Sequence, residues 1–349
     1  MPKEADVRPV LPRFLPSFGY SQIQRWIDPV LNRRFVSSIQ DGDIAHIWPA
    51  APLELYDKLM ARGVTIIGEA VNTLMDHAKV ILDAEYDKLG MPPQHGITAE
   101  RIRNQYERYN RCAAIFSPSA GTEAAFAGTV FAGRTLETSY GAWVPKTRPT
   151  RPVKEPGAPV RVLFGGSPNV RKGIHKVLDA WPGLPRTIEL RLLGSVERSI
   201  ADRYADILNM PNVTHGGFSA DLPGEYRAAD LILLPSLEEG DPLMTYEACA
   251  AGLPMIASPM GAGRIGSDTG CISLLSTGTV DELRDRIMTL AADADQRQTL
   301  ADHAWEAVQN YDWAKVADRR YHQLEVLMKR SFRQDTPKWS NPREAASSV

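Results

Sequence analysis

Residues 236–254 read SLEEGDPLMTYEACAAGLP and place Glu239 just before the predicted start of a helix and Glu247 within it. An apolar run at 231–234, closed by Pro235, predicts a buried strand directly before them. We predict Asp241 as the residue that caps the helix and Pro242 as its first residue. A helix that begins at the carboxyl end of a parallel strand presents free N–H groups, with which open α/β sheets bind phosphate. The segment therefore predicts a phosphate site at a strand-to-helix turn.

The two glutamates have different predicted places in this turn. Glu239 lies at the mouth of the crevice, and Glu247 lies inside the helix, where a carboxylate can reach vicinal hydroxyls such as those of ribose. Their spacing, followed by Gly252, Pro254 and a strand from Met255, resembles the retaining, glycogen-synthase-like glycosyltransferases, family 4 (group 1) in particular. In that family the first glutamate contacts the donor sugar and the second holds the nucleotide ribose. The alternative is a loop glutamate followed by a solvated glutamate on a helix.

The resemblance implies a GT-B fold, in which two Rossmann-like domains with parallel sheets face each other across a cleft. From residue 160 onward, apolar runs alternate with amphipathic stretches, and this pattern by itself predicts an α/β, doubly wound parallel sheet. The Pro- and Arg-rich segment 144–152 is the predicted linker. We predict four parts: an acceptor-side domain at 1–150, a nucleotide-sugar-binding domain at 151–312, a helix at 313–329 that crosses back to the first domain, and a disordered tail at 330–349.

The first domain has a weaker pattern. Family members usually open with a hydrophobic strand and a glycine-rich loop, whereas residues 1–13 are polar and interrupted by proline. Residues 18–20, Phe-Gly-Tyr, are the candidate replacement for that loop. We therefore expect a first domain that is reduced, or a chain that lacks upstream residues.

A second constellation lies at 164–173, FGGSPNVRKG, where a strand runs into a glycine turn and two cations precede a helix. A diphosphate leaving group needs its charge neutralised, and fixed cations and N–H groups provide this without a metal. The resemblance implies a lysine before a glycine at this helix start, which Lys172 matches. The family's arginine after the strand glycine is absent, since Gly166 or Ser167 stands there, and Arg171 is the candidate substitute. The alternative is a solvated basic turn.

Further donor contacts are implied at the helix start and near the nucleotide base. Phe218 is expected in the core more than as a stacking platform, because apolar aromatic side chains are usually buried. Residues 260–264 are expected to form a loop, with Arg264 as a minor candidate for a phosphate contact. The other donor-binding candidates are Gly166, Ser167, Gly217, Phe218 in its alternative role, Gly240, Asp241, Pro242 and Leu243.

The first domain supplies candidates that would face the donor sugar. The family places polar residues, often a histidine, at the end of a first-domain strand, near the primary hydroxyl of the sugar. Glu69 is nearest to that place, and Asn72 and His77 are alternatives, although a lone helical histidine is more often structural. The predicted catalytic set is therefore Glu239, Lys172, Glu69 and His77.

The composition excludes several classes of protein. The chain has 349 residues, 43% of them hydrophobic and 23% charged, and a net charge of −2, which is typical of a globular protein of two domains and gives no support for nucleic-acid binding. The three cysteines are scattered without metal-like spacing. The sequence shows no bilayer-spanning run and no signal-peptide core, so we expect a cytoplasmic protein and leave open a peripheral contact with the inner face of the membrane.

The predicted function is transfer of a sugar from a nucleoside diphosphate sugar to a glycan, lipid-linked or small-molecule acceptor, with retention at the anomeric carbon. The donor is a substrate, and neither a cofactor nor a metal is expected. The setting would be polysaccharide or glycoconjugate synthesis. Two alternatives remain: a nucleotide-sugar epimerase of the same fold, and an inactive scaffold protein that binds nucleotide sugars.

Overall fold

The computed structural model describes residues 20–152, 154–155 and 157–333, with the backbone alone at 20–26 and 330–333. It contains two parallel sheets, one of four and one of six strands. Helices pack around each sheet, and the apolar side chains of the strands form the cores beneath them. The predicted fold class, two Rossmann-like domains with parallel sheets, is confirmed.

The first domain has a four-stranded sheet in the order β1-β2-β3-β4, which is also the chain order. Its core lies under β2 and β3, whose residues are almost all buried. A long first helix that the sequence did not predict precedes β1, while residues 1–19 lie outside the described part of the chain. The elements are α1 (Tyr20–Ser38), β1 (Ile44–Ile47), α2 (Leu53–Met60), β2 (Thr65–Glu69), α3 (Met75–Lys88), α4 (Ala99–Asn110), β3 (Ala114–Ser117), α5 (Ala120–Phe126) and β4 (Thr135–Glu137).

Helix α5 was also missed, although its start has a local signal. Ser119 accepts a hydrogen bond from the Thr122 N–H, and the Thr122 side chain bonds back to the Ser119 N–H, which is a reciprocal capping box. Threonine in place of the usual glutamate or glutamine made the motif hard to recognise.

The second domain has a six-stranded sheet in the order β10-β9-β8-β5-β6-β7, with every pair parallel. Strands β5, β6 and β7 extend the sheet toward one edge and β8, β9 and β10 extend it toward the other, so the strand order reverses between the neighbours β5 and β8. Open α/β sheets bind ligands in the crevice at such a switch point. The elements are β5 (Val160–Phe164), α6 (Ile174–Ala180), β6 (Ile188–Leu192), α7 (Arg198–Arg203), α8 (Ala205–Leu208), β7 (Val213–His215), α9 (Leu222–Ala228), β8 (Leu231–Leu234), α10 (Leu243–Ala250), β9 (Met255–Ala257), α11 (Pro259–Thr269), β10 (Ser273–Leu274), α12 (Val280–Ala292), α13 (Ala294–Val308) and α14 (Trp313–Arg333).

Two expectations about this domain were wrong. The predicted loop at 260–264 lies within α11, which Ser258 caps and which bends at Gly263. The last helix continues to Arg333, so residues 330–333 of the expected tail are helical, and the rest of that tail lies outside the described residues.

Helix α14 contacts the first domain. Its Arg320 bonds to the carboxylate of Glu69 and to the Ser139 carbonyl, and Leu324 packs against Phe116 and its neighbours. The chain thus crosses from the end of the second domain to the sheet of the first. In the described residues we find no helix that is both long and apolar enough to cross a membrane.

Candidate active site

The candidate site lies at the switch point, where the loops after β5 and β8 join. The Leu237 N–H donates to the Arg171 carbonyl at 2.8 Å. Gly173 has a φ of +74°, and a Cβ there would lie 2.1 Å from the Pro235 carbonyl oxygen, so only glycine fits. This close approach holds the cationic turn after β5 against the glutamate loop after β8.

Lys172 and Glu239 form an ion pair in this junction, and both side chains are largely buried. The Lys172 backbone N–H donates to the side chain of Asn169, and the stem of the lysine packs over Gly166. Arg171 lies 3.4 Å from the other carboxylate oxygen of Glu239. The structure therefore brings together four of the predicted donor-site residues and places two cations beside one carboxylate.

The loops after β6 and β7 complete this edge of the sheet. The Gly194 N–H donates to the Gly217 carbonyl at 2.6 Å, and Gly194 also packs against Ser167. Gly194, which follows β6 after one intervening residue, was not singled out from the sequence. Phe218 is 82% exposed, so the expectation that it belongs to the core was wrong, because β7 ends at His215 and the glycines after it lead the chain to the surface.

Glu247 lies in α10 with one carboxylate oxygen engaged. The Tyr226 hydroxyl donates to Oε2 at 2.8 Å. Burial, and then the nearby Glu247 carboxylate, raise the pKa of Tyr226 far above its usual range, so the phenol stays a proton donor. Tyr226 thus fixes the direction of a carboxylate whose other oxygen has no partner among the described residues.

The predicted helix cap at Asp241 was wrong. Helix α10 begins at Leu243, and Pro242 holds the capping position without a side-chain bond. Asp241 is buried and accepts from the Tyr140 N–H at 2.7 Å, the Tyr246 hydroxyl at 2.5 Å and the Arg264 N–H at 2.8 Å. Burial raises the pKa of Asp241 to about 7, although these three donors act in the opposite direction. Its role is to anchor the loop rather than to start the helix.

Glu238, the neighbour of Glu239, contacts the first domain. Its carboxylate accepts from the Thr73 N–H at 3.0 Å, the Thr73 hydroxyl at 2.8 Å and the Asn72 side chain at 3.0 Å. Arg171 approaches it at 3.5 Å. In the sequence, only the family's spacing of its two glutamates distinguishes Glu239 from its neighbour Glu238. The contact that Glu238 makes between the domains was therefore not predicted.

Gly240 extends the contact between the domains. A Cβ at this position would lie 2.0 Å from the Val71 carbonyl oxygen, and the Ser119 hydroxyl donates to the Gly240 carbonyl. The loop that carries Glu239 is therefore pressed directly against the first domain.

Three predicted residues lie in other places. Glu69 is 0% exposed and accepts from His46 at 2.8 Å and from Arg320 at 3.0 and 3.1 Å, so its carboxylate is occupied and does not open to a sugar. His77 is exposed on α3, and its backbone N–H donates to the Asp76 side chain. Arg264 pairs with Glu123 and donates to a first-domain carbonyl, which leaves it no place in a phosphate site.

A cavity of about 630 Å³ lies between the domains, on the first-domain side of Arg171. Arg171 both lines this cavity and contacts Glu239, and it therefore connects the cavity with the Lys172 ion pair. Within the described ranges, no three His, Cys, Asp or Glu side chains are grouped so that they could hold a metal ion. The polar part of the cavity wall includes Asn72, Arg101, Asn104, Arg108, Arg171 and Glu238.

Solved structures share this architecture. Sucrose-phosphate synthase from Thermosynechococcus elongatus aligns with a TM-score of 0.69 at 20% identity, over 90% of this chain and 81% of that one. Anabaena HepE in complex with UDP aligns with a TM-score of 0.64 at 17% identity, over 86% and 82%. These likenesses concern the fold alone. Two parallel-sheet domains with a cleft between them at the switch point have the GT-B fold.

The family match lies in the second domain. Residues 159–293 match the family described as glycosyl transferases group 1, and this part of the chain is a domain of that family. A curated relative, the MMP alpha-(1->4)-mannosyltransferase of Mycolicibacterium hassiacum, is 31% identical over 157 residues, which are 42% of this chain and 38% of the relative. The D-inositol 3-phosphate glycosyltransferase of Kribbella flavida is 33% identical over 93 residues, which are 26% and 22%. The matching segments thus span less than two fifths of these relatives.

Proposed function

We propose that this chain transfers a sugar from a nucleoside diphosphate sugar to an acceptor in the cleft, with retention at the anomeric carbon. The observation that carries the proposal is the Lys172–Glu239 ion pair at the switch point, beside a glycine turn and a helix start. The family match of this domain and the UDP and UDP-glucose complexes of HepE support a nucleotide-sugar donor.

In the proposed complex, the donor diphosphate replaces Glu239 as the partner of Lys172. A phosphate competes well with a carboxylate for a largely buried lysine, and the Leu243 amide at the start of α10 adds a donor. Glu239, released from the lysine, orients the sugar hydroxyls. Glu247, held by Tyr226, accepts hydrogen bonds from the ribose.

The transfer step follows from this placement. The bond between the anomeric carbon and the diphosphate oxygen breaks, and the acceptor oxygen bonds to the same face of the sugar. The acceptor proton passes to the leaving phosphate oxygen, so no enzymic nucleophile is needed. Lys172 and Arg171 stabilise the charge that develops on the diphosphate.

We propose that the reaction needs no divalent metal, since two side-chain cations stand where the diphosphate charge would lie. The proposed setting is polysaccharide or glycoconjugate synthesis in the cytoplasm.

The test is an assay of the whole chain with UDP-, GDP- and ADP-sugars and a panel of acceptors. We expect release of the nucleoside diphosphate and a glycoside whose anomeric configuration, read by NMR, equals that of the donor. Activity should survive EDTA. An inverted product would contradict retention, and activity lost in EDTA but restored by Mg²⁺ would contradict metal independence. Conversion of the donor to its epimer, or binding without turnover, would favour the two alternative functions.

A further inference from the structure

One wall of the interdomain cavity is the polar face of α4. Arg101, Asn104 and Arg108 line the cavity and are spaced by three and four residues, so they lie on one side of the helix. The two arginines are about 10 Å apart along the helix axis. Asn104 lies between them and has no partner among the described residues.

Arg108 is half-buried and lacks an acidic partner. Its Nε donates to the Ala51 carbonyl at 2.8 Å, which fixes the guanidinium and leaves both terminal nitrogens free. Among the described residues no carboxylate lies within 4.0 Å of it. A charge removed from water is normally paired, and a fixed guanidinium fork matches a planar or tetrahedral oxyanion. Arg108 therefore has the form of an anion-binding group.

Arg101 extends the same positive wall. Its Nη1 donates to the Gly96 carbonyl at 2.6 Å, and the described residues give it no carboxylate partner either. The acidic residues that line the cavity are already engaged. Glu197 accepts from the Tyr86 hydroxyl at 2.9 Å and from the Ser199 hydroxyl at 2.6 Å, while Glu238 accepts from the first domain. The α4 side of the cavity thus presents two arginines that have no carboxylate within 4.0 Å among the described residues, while Glu197 and Glu238 bond to groups on other elements.

We propose that the cavity binds a phosphorylated acceptor, with the phosphate held by Arg108 and Arg101 and the reacting hydroxyl directed toward Arg171. This inference rests on the proposed transfer function and names the acceptor class for it. Asn104 donates to a phosphate oxygen or to a hydroxyl of the acceptor. The phosphate can belong to a free sugar or polyol phosphate or to the headgroup of a lipid, and both are recognised by the same guanidinium contacts.

The first test compares matched acceptors with the whole chain and its donor. Glucose and glucose 6-phosphate, and inositol and inositol phosphate, form the soluble arm. Vesicles of phosphatidylcholine with or without phosphatidylinositol form the lipid arm. We expect at least about tenfold higher kcat/KM for a phosphorylated soluble acceptor than for its neutral counterpart, or transfer to vesicles that contain phosphatidylinositol and none to phosphatidylcholine alone. The arm that responds identifies the source of the phosphate.

Variants on α4 test the contact itself. Arg108→Ala should raise KM for the phosphorylated acceptor at least about tenfold, and Arg108→Lys should restore part of the loss because it keeps the charge without the fork. Arg101→Ala should act in the same direction and leaves the Ala51 bond intact. Arg103→Ala removes an exposed arginine of the same helix that does not line the cavity, and it should change nothing.

A calorimetric titration separates the inference from the function on which it rests. Affinity for the nucleotide that the wild type binds, UDP, GDP or ADP, should be equal in wild type and Arg108→Ala. With that nucleotide present, glucose 6-phosphate or inositol phosphate should bind the wild type and should bind Arg108→Ala at least about tenfold more weakly. Neutral acceptors that react as well as phosphorylated ones would overturn the inference and leave the transfer function standing. If no sugar is transferred, phosphate binding that does not depend on Arg108 would still overturn the inference.

Discussion

Lys172 is the residue on which the proposed chemistry depends most. Its ion pair with Glu239 lies in a largely buried junction, and Arg171 is the other cation within reach of that carboxylate. Removal of Lys172 leaves the largely buried Glu239 carboxylate with Arg171 as its cationic partner, and this is destabilising whether or not the lysine takes part in catalysis. Stability and turnover must therefore be measured after the charge of Glu239 is removed as well.

We expect Lys172→Ala to lower donor turnover about 100-fold, the size of effect seen when one fixed donor to a developing charge is removed. Part of any loss of stability should come from the Glu239 carboxylate, which keeps Arg171 as its cationic partner. The double variant Lys172→Ala/Glu239→Gln removes that charge and should recover the melting temperature, while its turnover should stay well below that of the single variant Glu239→Gln. Equal turnover of the double variant and of Glu239→Gln would make Lys172 a structural residue.

At the scale of elements, α14 is held to the first sheet by a buried ion pair. Arg320 is bidentate to Glu69 at 3.0 and 3.1 Å, and His46 bonds to the same carboxylate. The sequence predicted the strand end at Glu69 and the helix that carries Arg320, but their 251-residue separation leaves no local signal of the pair. Glu69 was consequently interpreted as a sugar contact.

Arg320→Ala should lower the free energy of unfolding by about 3 kcal/mol or more, because it leaves a fully buried carboxylate with a histidine as its remaining partner. Denaturant titration would measure this. Lys315→Ala, at an exposed position of the same helix, should stay within about 0.5 kcal/mol of wild type. A loss below about 1 kcal/mol for Arg320→Ala would contradict the proposed anchoring role.

Helices α3 and α6 are joined by Glu85 and His175, whose side chains meet at 2.8 Å across the domains. The hydrogen bond from His175 lowers the pKa of Glu85 from 4.5 to about 2, against the opposing effect of burial. The folded state therefore holds fewer protons than the unfolded state between these values. The stability that Glu85 contributes to the folded state is complete above about pH 4.5 and is lost as the pH falls toward 2.

Glu85→Gln should make the free energy of unfolding depend less steeply on pH between about 4.5 and 2. Denaturant titrations at several pH values in this range would measure the slope. Glu54→Gln, on an exposed part of α2, serves as the control. Identical slopes in wild type and Glu85→Gln would refute the linkage.

At the scale of the whole molecule, the two domains meet through the loop that carries Glu239. Glu238 bonds to Thr73, and Gly240 lies against Val71. Contacts of this kind let closure of the cleft position a catalytic side chain and exclude water.

Gly240→Ala should separate closure from nucleotide binding. The added methyl group would lie 2.0 Å from a backbone oxygen that cannot easily move, so the loop must shift away from the first domain. We expect kcat to fall at least about tenfold while nucleotide affinity changes less than about threefold, because Lys172 and Glu247, the proposed contacts of the diphosphate and the ribose, lie outside the loop that shifts. Gly133→Ala, where a Cβ meets nothing within 4 Å, is the matched control. Unchanged kcat in Gly240→Ala would exclude a role for this contact.

The sequence predicted the second domain better than the first, for a physical reason. Lys172, Glu239 and Glu247 follow strong strand, glycine and helix signals, so their neighbourhood is determined by local structure. Thr73, which bonds to Glu238, lies 165 residues away along the chain, and Arg320, which bonds to Glu69, lies 251 residues away. Contacts over such separations depend on tertiary packing, which local sequence patterns do not show. The helix cap was wrong for the same reason, since the Asp241 carboxylate accepts from the distant Tyr140 and Arg264 N–H groups and from the Tyr246 hydroxyl, and not from the first N–H groups of α10.

The central claim is that the switch point of the second domain binds the nucleotide of a donor sugar, and calorimetric titration of UDP, GDP and ADP tests it most directly. We predict that one of these nucleotides binds the wild type, that Glu247→Ala weakens it at least about tenfold through the lost ribose contact, and that Tyr226→Phe has a smaller effect in the same direction. Arg103→Ala should bind like the wild type. A wild-type chain that binds none of the three, or a Glu247→Ala variant that binds as tightly as the wild type, would contradict the account.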